Sequence, residues 1–220
     1  MLSNNAFKTH GINYLSPSSI NTYISDPPMW VTRYLFKVKS QSGAAAIRGI
    51  ATESILASKL KHGKFDYDAL QMKFMTMCTE AMIDLGDKKT EKERSTLSKF
   101  GEVIDKNFDY TDMQDYQEKV EVQIDDLPVP IMGYIDFRFK DTIVDLKTST
   151  RMPSQPTEAQ KRQMALYSMA YPKNSVDLWF ATPKEHKKFT LKNLTSYKKP
   201  CVANLTKFSP VFFIEDNLLP

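Results

Sequence analysis

Two aspartates and one lysine lie close together in residues 133–147, GYIDFRFKDTIVDLK. A two-residue turn at positions 140–141 would fold this stretch into a hairpin with Asp136 directly opposite Asp145. Because successive side chains of a strand point to opposite faces, Lys147 would share the face of Asp145. The other face is apolar and consists of Ile135, Phe137, Phe139, Val144 and Leu146. The sequence therefore predicts a hairpin that presents three charges together over a hydrophobic core.

Two carboxylates opposite each other repel, so this pairing needs a compensating charge. Mg²⁺ prefers a few carboxylate oxygens and several waters, and it can activate a water while neutralising charge on a phosphate. Lys147 could orient that water or stabilise the pentacoordinate phosphate as a point charge. The alternative is a surface hairpin on which Asp145 and Lys147 form a solvated pair and Asp136 lies near a turn. The apolar alternate positions of both strands favour the metal site.

Glu53 is an unexpected residue on its predicted helix. The residues at helical spacing from it are apolar, namely Ala46, Ile50, Leu56, Ala57 and Leu60. The carboxylate therefore lies in or beside the apolar stripe of the helix. Buried charges are usually paired or bound to metal. Two interpretations stay open: a metal ligand, and an ion pair with a buried basic residue such as Arg48.

Phosphate-binding groups are indicated at two places. Ser16, Ser18 and Ser19 surround Pro17 at a predicted helix start, where free backbone amides suit a phosphate; an ordinary capped helix is the alternative. Residues 184–207 hold seven lysines against one acid. This run, with Lys187 and Lys188 as DNA-binding candidates, suits a phosphate backbone or is a solvated lysine-rich face.

The elements that must position these residues divide the chain into two halves. Helices are predicted over residues 17–25, 29–36, 44–60, 67–85 and 91–108, with a break at the two prolines 27 and 28. Strands are predicted over residues 120–124, 131–139, 143–147, 176–180 and 188–191. Thr157 and Gln160 have the spacing of a capping box, which predicts a helix to about residue 171. Gln160, Gln163 and Tyr167 would share one face of that helix.

Composition is that of an ordinary globular protein: 220 residues, 41% hydrophobic and 25% charged, with a net charge of +4. We predict a single domain over 1–220, mainly helical over 1–110, with the catalytic sheet and helix over 118–192 and a basic extension over 193–220. The absence of a leader-like segment and of any apolar run near 18 residues predicts a cytoplasmic protein without a membrane partner. Cys78 and Cys201 lack metal-site spacing, so we expect core thiols and no iron–sulfur cluster.

Four segments resemble, in order, the RecB-like and phage lambda-type exonucleases of the PD-(D/E)xK nuclease superfamily. Residues 15–23, LSPSSINTY, resemble the opening helix L-S-x-S-x-(L/I)-x-x-(Y/F). Residues 49–53, GIATE, resemble G-x-x-x-(H/E), and the hairpin resembles G-x-I-D followed by (V/I)-D-x-K. Residues 163–167, QMALY, resemble Q-x-x-x-Y.

This resemblance implies an α/β (α+β) fold with a restriction-endonuclease-like core, in which a mixed central sheet and an antiparallel catalytic hairpin are flanked by helices. It implies a magnesium-dependent DNA exonuclease, with Mn²⁺ able to substitute, in phage or bacterial DNA degradation, recombination or repair. A phage-encoded protein would act in the host cytoplasm. An endonuclease of the same fold and an inactive DNA-binding derivative stay open as alternatives.

The resemblance also assigns roles to residues. Glu53, Asp136 and Asp145 would hold the metal, Lys147 would complete the catalytic group, and Gln163 would position the lysine or a phosphate. Tyr167 would pack behind Gln163 beside the DNA. The substrate would be single- or double-stranded DNA, and the resemblance allows an oligomer and a single-strand-binding or annealing protein as partner.

Three departures from the family pattern qualify this assignment. Ile135 replaces the proline of the superfamily's name, which has no chemical role. The cysteines of the iron–sulfur relatives are absent. Glu53 replaces the histidine of many RecB-like members, as in lambda-type exonucleases, so the first metal ligand is expected to be a third carboxylate.

Overall fold

Helices form the N-terminal half of the computed structural model, which describes residues 7, 10–38, 42–124 and 127–197. They are α1 (Pro17–Ser25), α2 (Pro27–Trp30), a π-helical turn (Val31–Leu35), α3 (Ala44–His62), α4 (Tyr67–Glu80) and α5 (Lys88–Asn107). The predicted start of α1 is confirmed, with Ser16 as its cap and Pro17 at its first position. Within the stretches described, none of the helices combines the length and the apolar character needed to cross a membrane.

The proline pair at 27 and 28 begins a helix as well as ending one. Asp26 follows α1 and accepts a hydrogen bond from the Met29 amide at 3.0 Å, and proline suits the first helical positions because it has no amide hydrogen to satisfy. The single helix predicted over residues 29–36 is therefore wrong: it is α2 followed by the π-helical turn. The helix predicted over residues 67–85 is shorter in the structure, because α4 ends at Glu80.

A five-stranded mixed sheet forms the second half, in the order β1-β2-β3-β4-β5. The strands are β1 (Met113–Val122), β2 (Ile131–Phe139), β3 (Thr142–Thr148), β4 (Ser175–Ala181) and β5 (His186–Thr190). β3 and β4 are parallel and the other neighbours are antiparallel. The crossover that a parallel pair requires carries α6 (Glu158–Ala170). The predicted mixed α/β fold with its antiparallel hairpin is confirmed.

Helices cover both faces of this sheet. On one face α3 and α5 pack against β2, β3 and β4, in a cluster that contains Leu56, Phe100, Ile104, Phe137, Val144, Leu146 and Trp179. On the other face α6 packs in a cluster that contains Met164, Tyr167, Ile135, Ile143, Leu178 and Phe180. Burial of these apolar side chains holds the central strands between two helical layers.

The first strand differs from its prediction. The prediction of residues 120–124 is wrong, because β1 starts seven residues earlier at Met113 and ends at Val122. β1 is an edge strand, and of its ten residues Val120 alone is buried. A periodic hydrophobic pattern arises from one buried face. The exposed first part of β1 therefore gives no such signal.

Some predictions fall outside the described residues. They concern most of the extension over 193–220, with Cys201, Lys198, Lys199 and Lys207. Cys78 is a buried free thiol, as expected.

Candidate active site

The β2–β3 hairpin has the predicted register and opens at the two aspartates. Phe137 pairs with Val144 and Arg138 with Ile143, which is the register that sets Asp136 opposite Asp145. Beyond these pairs the Leu146 amide donates to Asp136 Oδ2, at 2.7 Å. Asp136 is 8% exposed and Asp145 is 1% exposed. The two carboxylates therefore lie buried in a fork between the strands.

The alternation of β2 is interrupted at this fork. Ile135 packs with Ile143 beneath α6, whereas Phe137 packs with Val144 on the opposite face. The prediction that Ile135 shares the apolar face of Phe137 is therefore wrong. On the neighbouring strand, Gln117 has a left-handed backbone with φ of 54°. Irregularities of this kind re-aim side chains, and here the irregularity accompanies a turn of Asp136 into the fork.

Lys147 lies on the same side of the fork as Asp145. Its Nζ is 2.6 Å from Asp145 Oδ2. Burial by itself would lower the pKa of Lys147, but the charges of Asp145 and Asp136 together raise it above the ordinary value. Lys147 is therefore an ammonium at neutral pH, and it can act as a point charge rather than as a base.

Glu53 reaches the fork from α3. The Gln117 amide donates to Glu53 Oε1 and, at 3.2 Å, to Asp136 Oδ1. Burial raises the pKa of Glu53 and the charge of Asp145 raises it further. For Asp136, burial and the charges of Asp145 and Glu53 raise the pKa well above its ordinary value. Ionising all of these acids at once is therefore unfavourable without a further cation.

Arg48 does not pair with Glu53. Its guanidinium forms an ion pair with Glu93, so the alternative of an ion pair between Arg48 and Glu53 is wrong. Arg48 also donates to the carbonyl of Thr148 at 3.1 Å. A Cβ at Gly49 would lie 3.4 Å from Thr148 Oγ1. These contacts hold α3 closely against the end of β3, and so bring Glu53 to the fork.

Gln163 and Tyr167 approach the fork from α6. Gln163 Nε2 donates to Asp145 Oδ1 at 2.9 Å and lies 3.4 Å from the Tyr167 hydroxyl. Burial is the main reason that the pKa of Tyr167 rises to about 12. A Cβ at Gly133 would come within 2.6 Å of the Tyr167 ring. The glycine of the hairpin motif therefore makes room for the tyrosine of the helix motif.

Two clefts meet at Glu53. The larger, here called the serine cleft, has a volume of about 580 Å³ and is lined by residues that include Ser16, Ser18, Glu53, Asp136, Gln163 and Tyr167. The smaller, here called the lysine cleft, has a volume of about 320 Å³ and is lined by residues that include Gly49, Ile50, Glu53, Lys147 and Thr148. The buried acids are therefore reached from two sides.

The three serines of the α1 turn are not equivalent. Ser18 is exposed, and its hydroxyl lies 2.9 Å from that of Ser16 at the serine cleft. Ser19 is 2% exposed, and its hydroxyl donates to the Ser16 carbonyl at 2.8 Å. Ser19 also completes a capping box with Ser16. The structure thus brings Ser16 and Ser18, but not the Ser19 hydroxyl, to the candidate site.

Lys187 and Lys188 point to opposite faces of β5. Lys187 lies opposite Phe180, which is itself in register with Lys147. The Nζ of Lys187 is 4.5 Å from the ring centroid of Phe189. Lys188 Nζ lies 4.2 Å from the ring of Trp179, on the side covered by α5. Of the two lysines, only Lys187 is on the sheet face of Asp145.

The donor types suit a divalent cation, because Glu53, Asp136 and Asp145 are carboxylates gathered near one ammonium. The Lys147 ammonium lies 2.6 Å from the buried Asp145 Oδ2. Among the described residues, no three acid, histidine or cysteine side chains already surround one point. The Gln117 amide lies between Glu53 and Asp136, so Gln117 and Lys147 would have to shift for an ion to enter.

Sequence reasoning missed two residues of β1 that contact Glu53. The Gln117 amide donates to the Glu53 carboxylate, and the Tyr116 hydroxyl donates to the Glu53 backbone carbonyl at 2.8 Å. Both lie in the part of β1 that was not predicted. The register between β1 and β2 sets Tyr116 opposite Phe137 and Glu118 opposite Ile135, so recognition of this edge strand would have placed Gln117 beside Asp136.

Comparison with known proteins gives a family match and a structure of similar fold. The family model of the PD-(D/E)XK nuclease superfamily matches residues 14–200. A crystal structure of a candidate exonuclease from Eubacterium rectale has a TM-score of 0.64 at 12% identity, covering 96% of this chain and 85% of that one; at this identity it shows the fold alone. The structure of SSO0001 covers 100% of this chain and 96% of its own at 11% identity, but its TM-score of 0.36 is too low to support an argument. No curated protein gives a significant sequence match.

Proposed function

The chain belongs to the PD-(D/E)XK nuclease superfamily, and from that premise we propose that it is a magnesium-dependent exonuclease that hydrolyses phosphodiester bonds of DNA. Nucleases of this superfamily generally use divalent metal ions such as Mg²⁺. The observation that carries the proposal is the buried cluster of Glu53, Asp136, Asp145 and Lys147, which opens into two clefts. Charged groups gathered in a cleft with perturbed pKa values are typical of a catalytic site.

The roles of the residues follow from their contacts. Glu53, Asp136 and Asp145 would hold the ion, which when bound supplies charge neutralisation for the phosphate and a more acidic water. Lys147, kept protonated by its acidic neighbours, stabilises negative charge that develops on the phosphate. Gln163 fixes the orientation of Asp145 through its hydrogen bond. Each of these side chains lies on a helix or strand that is held in place by packing in the hydrophobic core.

The serine turn supplies a site for a neighbouring phosphate. α1 has nine residues, and the first amides of a helix carry partial positive charge. Ser16 and Ser18 line the same cleft as Asp136. We assign these serines to a phosphate next to the scissile bond, and Lys187 to a more distant one.

The exonuclease assignment rests on the order of the motifs. The four motif segments occur in the order found in the RecB-like and lambda-type branch, and the Eubacterium rectale structure, which carries the name of a candidate exonuclease, has a similar fold. On the same resemblance we extend the proposal to a role in phage or bacterial DNA recombination, repair or degradation.

Cleavage assays on three DNA forms test the proposal. Linear duplex, covalently closed circular duplex and single-stranded oligonucleotides are incubated with Mg²⁺, with Mn²⁺ or with EDTA. We expect metal-dependent progressive shortening of linear DNA, with closed circles left intact. Rapid cutting of closed circles would indicate an endonuclease instead. Binding without cleavage under every metal condition would indicate an inactive DNA-binding protein.

A further inference from the structure

Two tyrosines at the serine cleft are exposed, Tyr14 in the segment before α1 and Tyr134 on β2. Tyr14 is 49% exposed and Tyr134 is 53% exposed, and both line the cleft that contains Asp136. Exposed aromatic surface beside a catalytic cleft is a common feature of sites that bind flat ligands.

The fold holds both rings at defined positions. The segment before α1 lies alongside β2: Leu15 bridges to Ile131 in parallel, and the Met132 amide donates to the Leu15 carbonyl at 2.9 Å. Leu15 and Ile131 are buried in one cluster. Because side chains alternate along extended segments, Tyr14 and Tyr134 point away from that cluster. Each tyrosine lies two residues before a cleft residue, Ser16 in one case and Asp136 in the other.

A lysine is paired with one of these tyrosines in the sheet. Lys119 is directly opposite Tyr134 in the β1–β2 ladder and also lines the serine cleft. Its side chain is 53% exposed, and its ion pair with Glu121 spans 4.0 Å at the surface. Exposed pairs of this kind contribute little, so Lys119 is available to a phosphate. The cleft therefore combines ring surface for a base with an ammonium and serine hydroxyls for phosphates.

This combination distinguishes between forms of DNA. In a duplex both faces of an internal base are covered by stacked neighbours, so an internal base cannot lie flat on a tyrosine ring, whereas a base of a single strand can. The cleft volume of about 580 Å³ is in the range of small-ligand pockets, which suits individual nucleotides and not a double helix. We propose that the serine cleft binds unpaired nucleotides through Tyr14, Tyr134 and Lys119, so that the substrate enters as single-stranded DNA. This inference rests on the proposed nuclease function for the identity of the ligand.

Binding measurements without cleavage test it. Wild type, Tyr14→Ala and Tyr134→Ala are titrated in EDTA with a short labelled single strand and with a blunt hairpin duplex. We expect each alanine variant to bind the single strand about tenfold more weakly, within the range for loss of one base–aromatic stack, and the duplex unchanged. Tyr14→Phe and Tyr134→Phe keep the ring and should bind as wild type does. A 2-aminopurine base in the strand should show less quenching with the alanine variants.

Phe36→Ala is the matched control, because Phe36 is an exposed aromatic residue at 74% that lines neither cleft. It should leave single-strand binding unchanged. Thermal melting of each variant excludes a folding defect. The inference would be overturned if both alanine variants bound the single strand as tightly as wild type does, or if they lost equal affinity for the strand and the duplex. Neither result would contradict the proposed cleavage activity. Conversely, tyrosine-dependent strand binding without cleavage would support the inference and contradict the proposed nuclease function.

Discussion

Arg48 and Glu53 lie five residues apart on the same helix, yet their charges have different surroundings. Arg48 is 4% exposed, and each of its contacts favours the cation: the carboxylate of Glu93, the carbonyl of Thr148 and the ring of Phe100 at 4.6 Å from the guanidinium carbon. Glu53 instead faces two further carboxylates and one ammonium. One region of α3 is electrostatically balanced and the other carries excess negative charge.

The difference separates a structural charge from a functional one. A buried pair with matched partners fixes the position of a helix, even when its net contribution to stability is small. An unmatched cluster raises the pKa values of its own acids and is unfavourable for the metal-free fold. Such a cluster is expected where a ligand supplies the missing charge. Substitutions at the two regions should therefore affect different measurements.

The largest effect is expected on cleavage. Asp136→Ala, Asp145→Ala and Lys147→Ala should each reduce the cleavage rate by at least about a hundredfold, the scale for loss of a metal ligand or a phosphate-stabilising charge. Circular dichroism should show a folded chain in each case. Asp141→Ala, in the exposed turn of the same hairpin, is the control and should cleave normally. Near-normal turnover by any of the three purified variants would contradict the site.

Substitutions of the Arg48–Glu93 pair should change the stability of the fold. Arg48→Ala should lower the free energy of unfolding by about 2 kcal/mol, because it leaves Glu93 partly buried without a partner. The double variant Arg48→Met with Glu93→Leu should recover most of that loss, since no unpaired charge remains. Denaturant unfolding measures both. If the double variant is as unstable as the sum of the single ones, the pair is not an isolated balanced unit.

Metal affinity should change at Glu53. Glu53→Gln keeps the size of the side chain and removes its charge, so Mg²⁺ should bind about tenfold more weakly while the metal-free melting temperature is unchanged or higher. Calorimetric titration gives the affinity and thermal melting gives the stability. Unchanged magnesium affinity would remove Glu53 from the proposed ligand set without affecting the roles of the aspartates.

A smaller effect concerns pH. The pKa values of Glu53 and Asp136 are raised in the folded state, so the folded protein binds more protons than the unfolded chain above pH of about 4. The stability from these groups is fully present below that pH and is lost as pH rises through the folded pKa values. In EDTA, the melting temperature of wild type relative to Glu53→Gln should fall with rising pH. A difference that stays constant with pH would indicate that the acids are not coupled.

The smallest effects separate the serines of α1. Ser18→Ala should weaken DNA binding a few-fold and leave stability unchanged, because the Ser18 hydroxyl lies at the cleft. Ser19→Ala should lower stability by about 1 kcal/mol through loss of the capping box. Gel-shift titrations with phosphorylated and dephosphorylated ends, beside thermal melts, distinguish the two. Equal behaviour of the two variants in both assays would contradict the assignment of Ser18 to DNA binding and of Ser19 to helix capping.

The sequence predicts the parts of the site that depend on local rules. The hairpin register follows from counting outward from a two-residue turn, and the starts of α1 and α6 follow from the cap residues Ser16 and Thr157. Strand alternation fails at Ile135, where β2 switches faces. Gln117 could not be found, because it lies on an edge strand with polar residues on both faces and in a backbone conformation that periodicity does not encode.

The bridging amide of Gln117 has a consequence for how the protein matures. An amide that donates to both Glu53 and Asp136 partly offsets their repulsion, so we expect the chain to fold without the proposed ion. Binding of that ion would then displace the amide in a molecule that is already folded. Ion supply would consequently regulate the activity of an existing pool of folded molecules, and the amount of folded protein would stay the same.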